Sequence, residues 1–223
     1  DRHVETESAL ERLAGDLDYD GQRLVFDNAR GHIHGADVSQ LKAAIDWTGE
    51  ATLAIASTAV VVDSGPLFDW LTSFEGLSHV KETVQSISGR ALLSNLKIKG
   101  PLSKPHQWEI ALTGSPQGMH LKSTLLPFAA TLSGGEISHV PGRQTARGVT
   151  VTFLDGSFRA GYQSKNTSET ASSVWHIDGS MGQAAIDWLS TLVPIPEHLK
   201  MKPPVRLSDA RITWDQDATI TFT

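Results

Sequence analysis

The sequence predicts a mainly β chain of antiparallel strands, interrupted by two or three short amphipathic helices. Three observations carry this. Apolar residues recur with period two along most of the chain, clusters of Gly, Pro and Asn/Asp punctuate them at short intervals, and only brief segments switch to helical spacing.

The elements follow in chain order. ETESALERLAG (5–15) has helical spacing, ends at Gly15 and is read as the third helix. In DLDYDGQRLVFD (16–27), Asp16, Asp18, Asp20 and Gly21 fall at the positions of a calcium loop, with Asp27 at the twelfth place. Asp27 is shorter than the Glu such loops use, Arg23 stands where an apolar residue is usual, and RLVFDNARGHIHG downstream reads as strand. An Asp-Gly hairpin turn is therefore expected, with Leu17 and Tyr19 on one face and the aspartates on the other. His32 and His34 share a strand face, but two imidazoles without a third ligand do not make a metal site.

TLAIASTAVVV puts Leu53, Ile55, Ala59 and Val61 on one face. SGPLFDWLTSFEGL (64–77) reads as a helix, with Ser64 as cap, Pro66 in the first turn and a stripe of Leu67, Trp70, Leu71 and Phe74. NLKIKG sets Leu96 and Ile98 against Lys97 and Lys99, and WEIALTG sets Trp108, Ile110 and Leu112 against Glu109, Ala111 and Thr113. GVTVTFLDG aligns Val149, Val151 and Phe153, and SKNTSETASS (164–173) is a polar loop. SMGQAAIDWLSTLVP (180–194) is the second helix, stopped by Pro194; RITW and TITFT add Ile212, Trp214, Ile220 and Phe222. Strands with two unlike faces are the mark of antiparallel sheets.

FDWL (68–71) and IDWL (186–189) stand 118 residues apart. Strand patterns follow both, and VFDNARGHIHG (25–35) resembles TFLDGSFRAG (152–161) as strand, polar turn and strand ending in Gly. The reading is about two partial copies of a ~120-residue unit, with equivalent helices near 64–77 and 180–194. The second copy lacks the acidic triplet, so the unit does not need calcium. Asp69 and Asp187 become equivalent, each expected to accept a loop N–H and orient its helix. Trp70 and Trp188 are expected to anchor those helices by burial.

Composition narrows the function classes. The net charge of −6, with no Lys/Arg cluster, argues against nucleic acid and strongly anionic membrane surfaces. Cysteine is absent, which removes thiol chemistry and Cys-bound zinc. No G-x-S-x-G, H-E-x-x-H, P-loop or G-x-G-x-x-G occurs, and no carboxylate pair has defensible acid–base spacing. The longest uncharged apolar run, ATLAIASTAVVV (51–62), is about half the ~20 residues of a membrane helix. The chain begins without Met and stops in a strand, so it is expected to be a fragment whose membrane anchor lies elsewhere.

Four stretches carry a resemblance: LAGDLDYDGQRLVFDNARGHIHGADVSQLKAAIDW, GPLFDWL, GRALLSNLKIKGPLSKPHQWEIALTG and PEHLKMKPPVRLSDARITW. Together they resemble the AsmA-like family, the YhdP/TamB type of periplasmic envelope protein. The resemblance implies an elongated, twisted antiparallel sheet forming an open trough, an incomplete barrel, with a greasy inner face. It also implies tethering to the inner membrane, a periplasmic location, and a non-enzymatic role as lipid conduit or envelope scaffold without cofactor. The partners would be phospholipid acyl chains. The groove would be built from Leu53, Ile55, Leu96, Ile98, Ile110, Leu112, Val151, Phe153, Ile212, Ile220 and Phe222. An acyl chain of ~16 methylenes costs ~13 kcal/mol to pass through water, at ~0.8 kcal/mol each, so a bridge needs continuous apolar surface. Trough edges need protection, and KGPLSKPHQ (99–107) has the charges and prolines for it. A different class stays open: apolar strand faces most often line a closed sandwich, which would make this a glycan-binding or adhesion module.

Overall fold

The structure, a computed structural model, describes residues 10–33, 35–73, 80–124, 126–166, 171–192, 202–214 and 220–222. The strands of the first half are β1 (Leu10–Tyr19), β2 (Arg23–Ile33), β3 (Ala36–Asp46), β4 (Thr52–Ser57), β5 (Ala59–Asp63), β6 (Val84–Pro101) and β7 (Glu109–Ser123). Those of the second are β8 (Ala130–Ser133), β9 (Glu136–Val140), β10 (Arg143–Phe153), β11 (Gly156–Asn166), β12 (Ala171–Met181), β13 (Val205–Trp214) and β14 (Ile220–Phe222). The helices are α1 (Ser64–Thr72), α2 (Val80–Thr83) and α3 (Gln183–Leu192).

All described strands belong to one 14-stranded antiparallel sheet, in the order β1-β2-β3-β4-β6-β7-β8-β10-β11-β12-β13-β14. β5 continues the β4 position between β3 and β6, and β9 shares the β8 position between β7 and β10. β1 and β14 end the path without meeting, so the sheet is an open trough and not a closed barrel. No second sheet faces it among the described residues, which removes the closed sandwich as their architecture.

Register carries one largely apolar face across the sheet. Directly paired residues share a face, and the pairs Val38–Val60, Val60–Leu93, Leu93–Gly114, Gly114–Ile137, Ile137–Ala146 and Ala146–Tyr162 carry that face across the sheet. α1 packs on β5 and β6, and α3 packs on β12. Both helices lie on this face and cross at the same end of the strands, each between antiparallel neighbours. Under α1 is a core of Ala29, Ala36, Val38, Leu41, Val60 and Val62, against which Leu67 packs. Under α3 is a second core of Phe158, Met181, Ala185 and Ile186.

Several expectations change. Residues 10–15, read as the end of a helix, are strand β1; residues 5–9 lie outside the described set. Register shifts at Leu10/Arg12 and Ala14/Asp16 interrupt the period of two, and that produced helical spacing for Leu10, Leu13 and Leu17. The third helix is instead the single turn α2. The Asp27-Asn28 "turn" lies inside unbroken β2 as a register shift, with Asn28 at φ 50°, whereas Leu154-Asp155 is a true hairpin turn; that pair of segments does not correspond. A break at Thr58 flips parity: Val60 and Val62 are buried on the face that carries half-buried Leu53 and Ile55, and Ala59 and Val61 face outward. α1 ends at Thr72 and α3 begins at Gln183; residues 74–79 and 193–201 lie outside the described set.

KGPLSKPHQ is not an edge. It is the β6–β7 hairpin in mid-sheet, tied by Trp108 Nε1 donating to the Pro101 carbonyl (2.9 Å) and by the Lys104–Glu50 pair (2.9 Å). Trp108 lies flat against the chain at Gly100, where an added Cβ would meet Trp108 Cδ1 at 2.6 Å.

Candidate functional site

The apolar face divides into covered and open parts. At the open end of the strands, register brings Leu53, Ile55, Leu96, Ile98, Ile110 and Leu112 together: Ile55 pairs with Ile98, Ile98 with Ile110, and Leu96 with Leu112. Each is half-buried, with exposed Lys97 and Lys99 pointing to the other side. Ile55 and Leu96 pack against the edge of the core under α1, and among the described residues no second sheet faces the patch. It continues through Ala43 and Phe26 to Leu17 and Tyr19 at the β1 edge, which are 62% and 61% exposed.

Across β7 the apolar track moves up the strands. Leu112 meets His139, and the next pairs in that row are polar, Gln144 and Ser164. One row higher the track is unbroken: Gly114, Ile137, Ala146, Tyr162, Trp175 and Ile212. Tyr162 and Trp175 pack ring to ring at 4.3 Å, and Trp175 stays 39% exposed. This aromatic pair was not singled out from the sequence, because WHIDG and AGYQS alternate too briefly to fix which face they share; only the register fixes it.

The other candidates are placed differently. Val151 pairs with Leu132 and Phe158 near the α3 end. Phe153 stacks on Phe128 (5.0 Å) and Phe158 (5.1 Å) and meets Trp188 edge-on (5.6 Å), so it belongs to the aromatic cluster under α3. Ile212 is half-buried in the upper row. Ile220 and Phe222 pair through their backbones with Trp214 and Ile212; their side chains lie outside the described set.

The acidic loop is a hairpin turn, as expected. Asp20 accepts from Gln22 N–H (3.0 Å) and Arg23 N–H (2.7 Å), which hold its carboxyl below the usual value. Gly21, at φ 96°, supplies the left-handed residue of the turn. Asp27 is held low by its bond to Lys42 (2.9 Å). No group of three His, Cys, Asp or Glu converges among the described residues. His32 Nδ1 contacts Asp37 (2.8 Å), and His34 lies outside the described set.

Among the described residues the helix aspartates hold no loop N–H groups. Asp187 accepts from Gln183 of its own helix (2.6 Å), and Asp69 lies 4.0 Å from Lys81. The capping carboxylate is Asp155, which accepts from Ala184 N–H and Ala185 N–H, both at 2.9 Å, and is held below its usual value by them. Ser64 does not cap α1 either; its hydroxyl donates to the Gly89 carbonyl of β6 (2.6 Å). Trp70 and Trp188 are both half-buried.

Comparison with protein-family models, with curated proteins and with solved structures finds no match. No helix among the described residues is long and apolar enough to cross a membrane.

Proposed function

We propose that this chain is a segment of a lipid conduit or envelope scaffold that acts without catalysis, its apolar sheet face receiving acyl chains. One observation supports this above the rest: Leu53, Ile55, Leu96, Ile98, Ile110 and Leu112 form one contiguous patch whose members are all half-exposed. Large open apolar patches mark interaction sites on soluble proteins. At ~0.8 kcal/mol per methylene, an acyl chain laid on such a patch recovers the larger part of its transfer cost without a specific polar contact. The AsmA-like resemblance gives this surface a setting, the periplasm between two membranes, with phospholipid as the guest and a tether to the inner membrane. The repeat of roughly 120 residues fits the same scheme, since repeated helix-bearing units would extend the track.

The test is mass spectrometry of lipid that co-purifies with the chain. Phospholipid should be found with the wild type and lost with Ile98→Asp or Leu112→Asp, with each variant still folded by circular dichroism. Saturable sugar binding with no bound lipid would instead favour a glycan module using Trp175 and Tyr162.

A further inference from the structure

The polar face of the second half holds a cluster that the linear sequence does not show as a basic run. Arg143 and Arg147 on β10, Arg159 on β11 and Arg211 on β13 project from that face and are exposed. None has an ion-pair partner among the described residues. The expectation of no Lys/Arg cluster is thus corrected by the register, which assembles from separate strands what no single segment contains.

Two of these side chains, Arg143 and Arg147, border a depression of about 210 Å³, whose lining also includes Thr145, Gln163, His176 and the apolar Val174. The floor exists because Gly161 stands opposite His176 with no side chain, and a β10 register shift between Ala146 and Val149 opens the ladder beside it. No Asp or Glu lines it; Glu136, directly opposite Arg147 on β9, lines the adjoining hollow, and Asp209 is 3.9 Å from His176 Nδ1 and 93% exposed. Arg159 lies against Gly148, where an added Cβ would meet its guanidinium at 3.1 Å. A lining of two guanidinium groups, a hydroxyl, an amide and an imidazole offers donors from several directions.

We infer that this depression is a binding site for a phosphoryl group. Guanidinium forks pair with oxyanions in bidentate fashion. A carboxylate has two oxygens and satisfies one fork; a phosphate has enough oxygens to serve Arg143 and Arg147 together. Their Cα atoms stand ~13 Å apart on a strand rising ~3.3 Å per residue, with Thr145 between them. The whole chain carries −6, so any pull on an anion is local to this site. The site is on the face opposite the apolar track and does not rest on the lipid reading.

The phosphoryl group can come from a free phosphate ester or from a lipid headgroup. Calorimetric titration with glycerol 3-phosphate tests the first. Flotation with phosphatidylcholine vesicles, with and without phosphatidylglycerol, tests the second. Saturable binding in either arm is expected, weakened at least tenfold by Arg143→Gln/Arg147→Gln. Gly161→Ala should weaken it as well, because it adds a methyl group to the floor while keeping every charge; its Cβ would meet neighbours no closer than 3.7 Å, ordinary van der Waals contact. Arg90→Gln, an exposed arginine on β6, should change nothing. Absence of saturable binding in both arms, an equal effect of Arg90→Gln, or equal competition by acetate would overturn the assignment.

Discussion

Asp155 reaches 29 residues along the chain to hold the first turn of α3. Its two backbone N–H donors favour the ionised carboxylate and keep it below the ordinary value of 3.8. A carboxyl group whose value is lower in the folded state stabilises above its unfolded value. That contribution is lost as the pH falls through the folded value. Asp155→Ala should therefore lower the melting temperature at pH 7, Asp155→Asn less so because its amide oxygen still accepts one bond. The difference between wild type and Asp155→Ala should shrink as the pH falls below 3.8; thermal melts across pH check this. Nothing in the local sequence of α3 announces this cap. Gly182 precedes the helix and the capping group arrives from the β10–β11 turn, so reading Asp155 only as a turn residue was the limit of what short-range signals allow.

At the scale of elements, the helices were the most legible part of the chain. The matched FDWL and IDWL segments fall inside α1 and α3. Trp188 shows what α3 contributes: its ring meets Phe128 at 5.0 Å and Phe153 at 5.6 Å over the second core. Trp188→Ala should destabilise the chain by about 2 kcal/mol, below the 3–5 of a fully buried tryptophan because Trp188 is half-buried. Equilibrium urea unfolding measures it. The same variant should leave lipid recovery at Ile98 unchanged, since α3 does not cover that patch. Strand existence was legible from alternation, but strand parity was not. Residues 10–15 of β1 read as helix because two register shifts break the alternation, and one break at Thr58 exchanges Ala59 and Val61 for Val60 and Val62 on the apolar face. β7 runs past the alternating WEIALTG to Ser123, with Pro116 buried beside the register shift at Gln117/Met119. Such irregularities depend on the neighbouring strand, which a segment read alone does not reveal.

At the scale of the whole molecule, the described residues form a sheet with two free edges and helices at one end, and among them nothing covers much of the apolar face. A closed sandwich would lay a second sheet on Ile98 and Ile110, and among the described residues none does. The two faces can be compared on a single strand, because Lys97 and Ile98 are neighbours that point in opposite directions. The most direct measurement places a photo-activated crosslinking residue at 98 and, separately, at 97, in cells, and identifies adducts by mass spectrometry. Phospholipid adducts at 98, with few or none at 97, are the predicted result. Equal labelling at both positions, or protein adducts alone at 98, would contradict an apolar face that is open to a hydrocarbon guest.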